Sequence, residues 1–399
     1  MFDFRRRVAV HWFLSSLVLA ASQMSLADSP AGDRGGEDAA GFAKIAKRMQ
    51  SFVDDGRIAG AVTLVADRNG VVHHTAVGKA EIETDRPMKP DAIFAIASMT
   101  KPIAATAVMI LVDEGKLALD DPVSKFIPEF ADVKLSDGAK PKREITLRDV
   151  MTHTSGLGGD QRLAGSLEET AKQIATRPLD FEPGTKWQYS PGLTVAGRVV
   201  EVAAGQPFDE FLAERIFQPL GMKDTTFKPS EEQRSRLAQL YKAGDDGEKL
   251  EPVDHWIHDP SEGRERGPNP SGGLFSTAAD LARFYRMVLN GGELDEKRIL
   301  SQEAVETMTR IQTGDITTGF TPGNGWGYGW CIVREPQGVT EMLSAGTFGH
   351  GGAFGTQGWI DPQQGEVFVL LIQRAGLPNS DASEMRKEFQ RLAVEAASP

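Results

Sequence analysis

Ser98 and Lys101 stand three residues apart at the start of a helical pattern, a spacing that sets a nucleophile beside a base. Residues three apart share one face of a helix, so the Lys101 amine can reach Ser98 Oγ and take its proton. The helix reads from Ser98 to Glu114: Ala104, Ala105, Val108, Met109, Leu111 and Val112 form an apolar face, and Gly115 supplies a stop. Pro102 fits because proline is tolerated in a first turn. Ser98 then sits at the positive end of the helix. The predicted chemistry is acyl transfer through a serine ester. Alone, a Ser-x-x-Lys tetrapeptide is a weak signal.

The elements around it must hold that pair in place. A first helix is predicted over about 39–55, after a Gly-, Asp- and Ser-rich flexible leader at 28–38. Ala59 to Ala66 and Val71 to Val77 are β-rich runs around Asp67-Arg68-Asn69-Gly70, a hairpin signal. From about 116 to 325 the pattern is mainly helical, with Gly- and Pro-rich loops. Strands return at Trp326 to Arg334, Gly355 to Asp361 and Glu366 to Gln373, followed by a helix from Ser380 to Ala396. The expected fold is α+β: one antiparallel sheet completed by both ends of the chain (39–115 and 326–396), flanked by helices, with an inserted helical region at 116–325. A cleft between the two parts is the expected site.

The 399-residue chain opens with Arg5-Arg6-Arg7, an apolar run from Val8 to Ala21 and small residues at Ser25-Leu26-Ala27. This is the grammar of a cleaved signal peptide over 1–27, and about fourteen apolar residues fall short of the roughly twenty that span a bilayer. An exported protein with no stable membrane anchor is expected, in periplasm or medium. Cleavage removes three arginines and one aspartate, taking the net charge from −12 to −14, which disfavours a nucleic-acid partner. A lone cysteine, Cys331, excludes an internal disulfide and reads as a small packed residue within the strand-like run 327–333. His255 and His258, beside Asp254 and Asp259, have the spacing of metal ligands but read as a solvated loop, and His73-His74 alternate across a strand. No metal or other cofactor is expected, and there is no Gly-x-Ser-x-Gly elbow or dinucleotide loop.

Six ordered motifs give the tetrapeptide its company: Ser98-Met99-Thr100-Lys101, Thr152-His153-Thr154-Ser155-Gly156-Leu157, Pro183-Gly184-Thr185 before Tyr189-Ser190, Pro219-Leu220-Gly221-Met222, Ser271 to Thr277, and Gly349-His350-Gly351-Gly352. With them the chain resembles the serine β-lactamase and penicillin-binding protein superfamily over about residues 40–395. It is most similar to the class C β-lactamase-like branch, which includes D-alanyl-D-alanine carboxypeptidases and family VIII carboxylesterases. The resemblance implies that Tyr189 lies near Ser98 and Lys101 and shuttles a proton. Both free side chains are protonated at neutral pH, with pKa about 10, so the expectation is one proton vacancy shared between Lys101 and Tyr189.

It also implies that the backbone N–H groups of Ser98 and Ala353 form an oxyanion hole, such a donor contributing ~10²–10³ in rate. His350, Gly351 and Gly352, where β-lactamases of the family carry lysine, threonine and glycine, should lie on an edge strand and bind substrate. His350 would contact a carboxylate or protonate a leaving group, its charge switching near neutral pH. His153 would structure its loop. Two departures stand out: Pro191 replaces the branch's usual asparagine and offers no amide to a substrate carbonyl or to the lysine, and Glu168 and Glu169 lack the asparagine that follows a class A deacylating glutamate.

These features favour a serine hydrolase acting on small esters. A D-alanyl-D-alanine carboxypeptidase acting on D-alanyl peptides, or a weak β-lactamase, is the alternative, and a non-catalytic peptidoglycan- or partner-binding protein is the alternative of another class.

Overall fold

The structure is a computed structural model that describes residues 36–159, 165–244, 249–253 and 267–397. The signal segment at 1–27, most of the 28–38 leader, His255 and His258 lie outside the described residues. Helix α1 spans Gly36–Asp54, so it begins inside the stretch expected to be leader.

Strands β1 (Gly60–Asp67) and β2 (Val71–Glu81) form the expected hairpin. Its turn is held by the Asp67 carboxylate, which accepts from the amides of Asn69 (2.7 Å) and Gly70 (2.8 Å). Beyond β2 lies the short β3 (Arg86–Pro87). The C-terminal part supplies β4 (Asn324–Trp326), β5 (Cys331–Val333), β6 (Phe348–Gly351), β7 (Gln357–Asp361) and β8 (Glu366–Ile372). The order is β4-β5-β6-β7-β8-β1-β2-β3, and every pairing is antiparallel. The two ends of the chain meet at the β1–β8 pair, where Ala61 faces Ile372 and Asp67 faces Glu366.

The apolar density of β1 and β8 follows from burial on both faces. Side chains alternate: Ala61 and Val65, with Phe368, Leu370 and Ile372, pack on Phe42, Ile45, Met49 and Phe52 of α1 and on Met385 and Phe389 of the C-terminal helix. Val62, Leu64 and Ala66, with Val367, Val369 and Leu371, join the larger core under the central helices. Each fully buried Val, Leu or Phe contributes about 1.5–3 kcal/mol, so the sheet is a rigid platform for whatever its loops carry.

Two expected elements are divided. The run expected as one strand, Trp326 to Arg334, is a hairpin: Gly329 turns the chain at φ 75° and Gly327 N donates to Trp330 O at 2.8 Å. Only glycine fits at 329, because a Cβ there would stand 2.6 Å from Ala105 Cβ and 3.0 Å from Lys101 O. The expected helix at 380–396 is a 3₁₀ turn, Ser380–Ala382, and then a helix at Glu384–Ala397.

Helix α2 (Thr100–Asp113) follows a 3₁₀ turn at Ala97–Met99 and is buried on all sides from Thr100 to Leu111, rather than on one apolar face. It ends at Gly115, whose φ is 68°. The α3 helix (Leu147–Thr152) and α2 both pack on α4 (Gly192–Ala204), while α5 (Ala278–Leu289) covers β1 and β8.

Candidate active site

Ala97 adopts φ 45°, a conformation that costs a non-glycine residue energy, and delivers Ser98 on the turn that opens α2. Two neighbours pin that turn. Thr100 Oγ1 donates to Ala97 O (2.7 Å) and accepts from Leu274 N (3.2 Å), while Ile96 N donates to Leu274 O (3.0 Å). The Ser271 to Thr277 segment is therefore a brace for the serine turn.

Lys101 is wholly buried, with Nζ 3.2 Å from Ser98 Oγ and donating to Ser271 O at 2.6 Å. Ser271 is itself fixed by Asn269 Oδ1, which accepts from Ser271 N (3.0 Å), and by Thr194 Oγ1 at 2.7 Å from Ser271 Oγ. A backbone carbonyl thus holds the lysine in a site where Pro191, the residue that caps α4, has no amide to do so. Burial pushes the Lys101 amine well below its ordinary value, favouring the neutral base.

The Tyr189 ring lies 4.5 Å from Lys101 Nζ. Burial raises its phenol above the ordinary value, and a hydrogen bond with Ser98 offsets this only in part. The proton vacancy expected to be shared is therefore weighted toward Lys101, since burial disfavours both its ammonium and the Tyr189 phenolate.

His153 ends α3 in the left-handed conformation, φ 61°. Its Nδ1 accepts from Ser190 N (3.1 Å), its carbonyl accepts from Gln188 N (2.9 Å), and its ring lies 4.6 Å from that of Tyr189. Gly184 N donates to Thr154 O at 2.7 Å. The second and third motifs are thereby laced together, and His153 backs the tyrosine as well as structuring its loop.

The Gly349-His350-Gly351-Gly352 segment needs two corrections. Its strand, β6, is interior, between β5 and β7. Pairing with β5 stops at Cys331–Gly349, so only the His350-Gly351 end has an open edge. His350 is buried, its Nδ1 donates to Gly351 O (2.6 Å), and burial is the main cause that lowers its pKa to about 3. It is neutral near pH 7 and does not switch there.

Gly352 then folds against the serine turn: its N donates to Thr356 O (2.7 Å), and a Cβ on it would lie 2.1 Å from Thr356 Oγ1 and 2.5 Å from Ile96 O. Ala353 follows, exposed, on the wall of the cleft that Ser98 also lines.

That cleft is open and spans about 800 Å³ with the solvent at its mouth included. Beyond the residues expected to line it, it is walled by Phe320, 47% exposed and edge-on to Tyr189 at 4.9 Å, and by the 377–381 loop ending in Asp381. Ser271, Phe320 and Asp381 were not expected at the site. Cys331 is buried with its thiol pushed up by burial, and Glu168 pairs with Lys172 and Arg198 outside the cleft lining.

A serine and a buried lysine at the head of a central helix, opening on a cleft beside an antiparallel sheet, define a serine hydrolase. Comparison with known proteins agrees. Residues 45–393 match the family described as Beta-lactamase. Esterase EstB of Burkholderia gladioli is 34% identical over 84% of this chain and 91% of its own. Penicillin-binding protein 4 of Amycolatopsis lactamdurans is 33% identical over 80% and 82%. The solved structure of EstCE1, a hydrolase with promiscuous acyltransferase activity, superposes with a TM-score of 0.76 at 25% identity, covering 90% of this chain and 98% of that one. The chain belongs to the β-lactamase family of serine hydrolases.

Proposed function

We propose that the protein is an exported carboxylesterase that hydrolyses small esters through an acyl-enzyme on Ser98. The observation that carries the mechanism is the buried Lys101 amine, 3.2 Å from Ser98 Oγ and favoured as the neutral base. Lys101 takes the Ser98 proton as Oγ attacks the ester carbonyl. The oxyanion is met by the N–H groups of Ser98 and Ala353. Collapse breaks the bond to the alkoxide, which receives the proton from Lys101 by way of the Tyr189 hydroxyl. Water then attacks the acyl-enzyme, gives its proton to the same pair, and Ser98 leaves protonated.

Esters are favoured over amides because Pro191 offers no amide to a substrate carbonyl and the neutral His350 no cation to a carboxylate. The likeness to an enzyme named an esterase supports the same choice. The likeness to penicillin-binding protein 4 supports a second reading, turnover of D-alanyl peptides or β-lactams.

A side-by-side assay decides between them: a short p-nitrophenyl ester, a cephalosporin and a D-Ala-D-Ala peptide at equal enzyme. The ester is expected to show the highest kcat/KM, and faster turnover of either other substrate overturns the assignment. Export is tested by the N-terminus of protein expressed with residues 1–27, expected at Asp28.

A further inference from the structure

Gly351 has no room for a side chain, and Asp381 is what fills the room. A Cβ at 351 would stand 1.7 Å from Asp381 Oδ1 and 2.6 Å from Gln357 Nε2. The carboxyl is fixed there: Gln357 Nε2 donates to Asp381 Oδ1 at 3.3 Å and to Ser380 O at 3.0 Å, and Asp381 N donates to Asn379 Oδ1 at 3.0 Å. It lines the same cleft as Ser98, Tyr189 and His350. Its charge is near enough to disfavour the Tyr189 phenolate.

Among the described residues no cation faces it across the cleft: the lining includes Asp381 but no lysine or arginine. Lys101 is buried behind Ser98 and favours its neutral form, and His350 is neutral near pH 7. Arg386 lies behind Asp381, wholly buried, its guanidinium 3.9 Å over the Trp359 ring, with Nε donating to Gln390 Oε1 (3.0 Å) and Nη1 to the Asp381 backbone carbonyl (2.5 Å). It lines a smaller cavity that it shares with Asp381, and not the cleft. Burial raises the Asp381 pKa, and the Arg386 guanidinium and the Gln357 hydrogen bond offset that rise in part. Phe320 and Leu377 add apolar surface to the walls of the cleft.

We infer that Asp381 is a specificity-determining residue: it makes the cleft accept uncharged esters and repel substrates that carry a carboxylate beside the scissile bond. The inference rests on the ester-hydrolase reading and sharpens it. D-alanyl peptides and bicyclic β-lactams both carry such a carboxylate, and simple esters do not, so one side chain separates the two substrate classes by charge.

The test uses matched pairs that put the charge on either side of the ester: p-nitrophenyl valerate against p-nitrophenyl hydrogen glutarate, and phenyl butyrate against 3-carboxyphenyl butyrate. The wild-type enzyme is expected to prefer the neutral member of each pair. Asp381→Asn keeps the shape and the Gln357 contact but loses the charge. It should raise kcat/KM for at least one carboxylate probe by about tenfold or more relative to its neutral partner.

A second measurement needs no variant. Raising NaCl from about 20 to about 500 mM should raise wild-type turnover of the carboxylate probe and not of its neutral partner, because salt screens the repulsion. A selectivity ratio that stays within about threefold in Asp381→Asn, or a wild-type enzyme that prefers the carboxylate probe, overturns the assignment. If Asp381→Asn shows no melting transition, the salt series decides alone. Absence of turnover for every ester overturns the ester reading and this inference together; an active enzyme with an unchanged ratio overturns only the role of Asp381.

Discussion

Replacing Gly352 with alanine should misplace the oxyanion wall while leaving every catalytic side chain in the chain. The new Cβ would meet Ile96 O at 2.5 Å, and such contacts do not occur below 3.0 Å, so one of the two must retreat by at least 0.5 Å. Ile96 is backbone leading into the Ser98 turn and its N is tied to Leu274 O, so the 352–353 segment is the part that yields. The second clash, 2.1 Å to Thr356 Oγ1, adds to the push and strains the turn closed by Gly352 N on Thr356 O. A misplacement approaching 1 Å, or loss of one oxyanion donor, costs about 10²-fold in rate. We expect Gly352→Ala to lower kcat for p-nitrophenyl acetate by about 10²-fold and to lower stability by about 1–3 kcal/mol from overpacking. Trimming the side-chain clash in Gly352→Ala/Thr356→Ala should not restore kcat, since the contact with Ile96 O remains. Stopped-flow acylation and thermal melts read both effects. Wild-type kcat in the single variant, or full recovery in the double, would refute the placement of this wall.

Lys101→Met should lower kcat/KM by more than about 10³-fold, and Lys101→Arg should not rescue it, because a guanidinium stays charged. The same change should stabilise the fold: the folded chain holds Lys101 neutral at pH values where the unfolded lysine is protonated, so wild-type stability rises with pH through that window up to about 10.5. The Tm advantage of Lys101→Met should therefore be larger at pH 6 than at pH 9, and a constant difference would contradict a lowered Lys101 pKa. Removing the ring behind Tyr189 in His153→Ala should cost about 1–3 kcal/mol, since Ser190 N loses its acceptor. His153→Asn, which tolerates the left-handed backbone and offers an acceptor, should recover most of that stability in thermal melts but not the acylation rate.

Local signals were legible where one residue type forces one geometry. Asp67 to Gly70 announced the β1–β2 hairpin, and Ser98 and Lys101 announced their own proximity because helical spacing guarantees it. What depended on tertiary contact was not. The carbonyl of Ser271 holds Lys101, and a backbone carbonyl has no sequence signature. Asp381 reaches the cleft only because the C-terminal loop folds beside β6, and nothing near it in sequence suggests chemistry. His350 was expected to change charge near neutrality because its burial is set by distant elements, and that burial reverses the expectation. The Trp326 to Arg334 run looked like one strand because its glycines sit among strand-forming residues, while the need for φ 75° at Gly329 comes from packing against α2.

The central claim is that Ser98 carries the acyl group. Intact-mass measurement of the mature chain after brief exposure to a fluorophosphonate, and separately to a short-chain p-nitrophenyl ester quenched in acid, tests it most directly. One adduct per chain is expected, mapped by peptide digestion to Ser98 and absent in Ser98→Ala. An adduct of equal yield in Ser98→Ala, or a folded and esterase-active wild-type chain that gains no mass with either reagent, would contradict it.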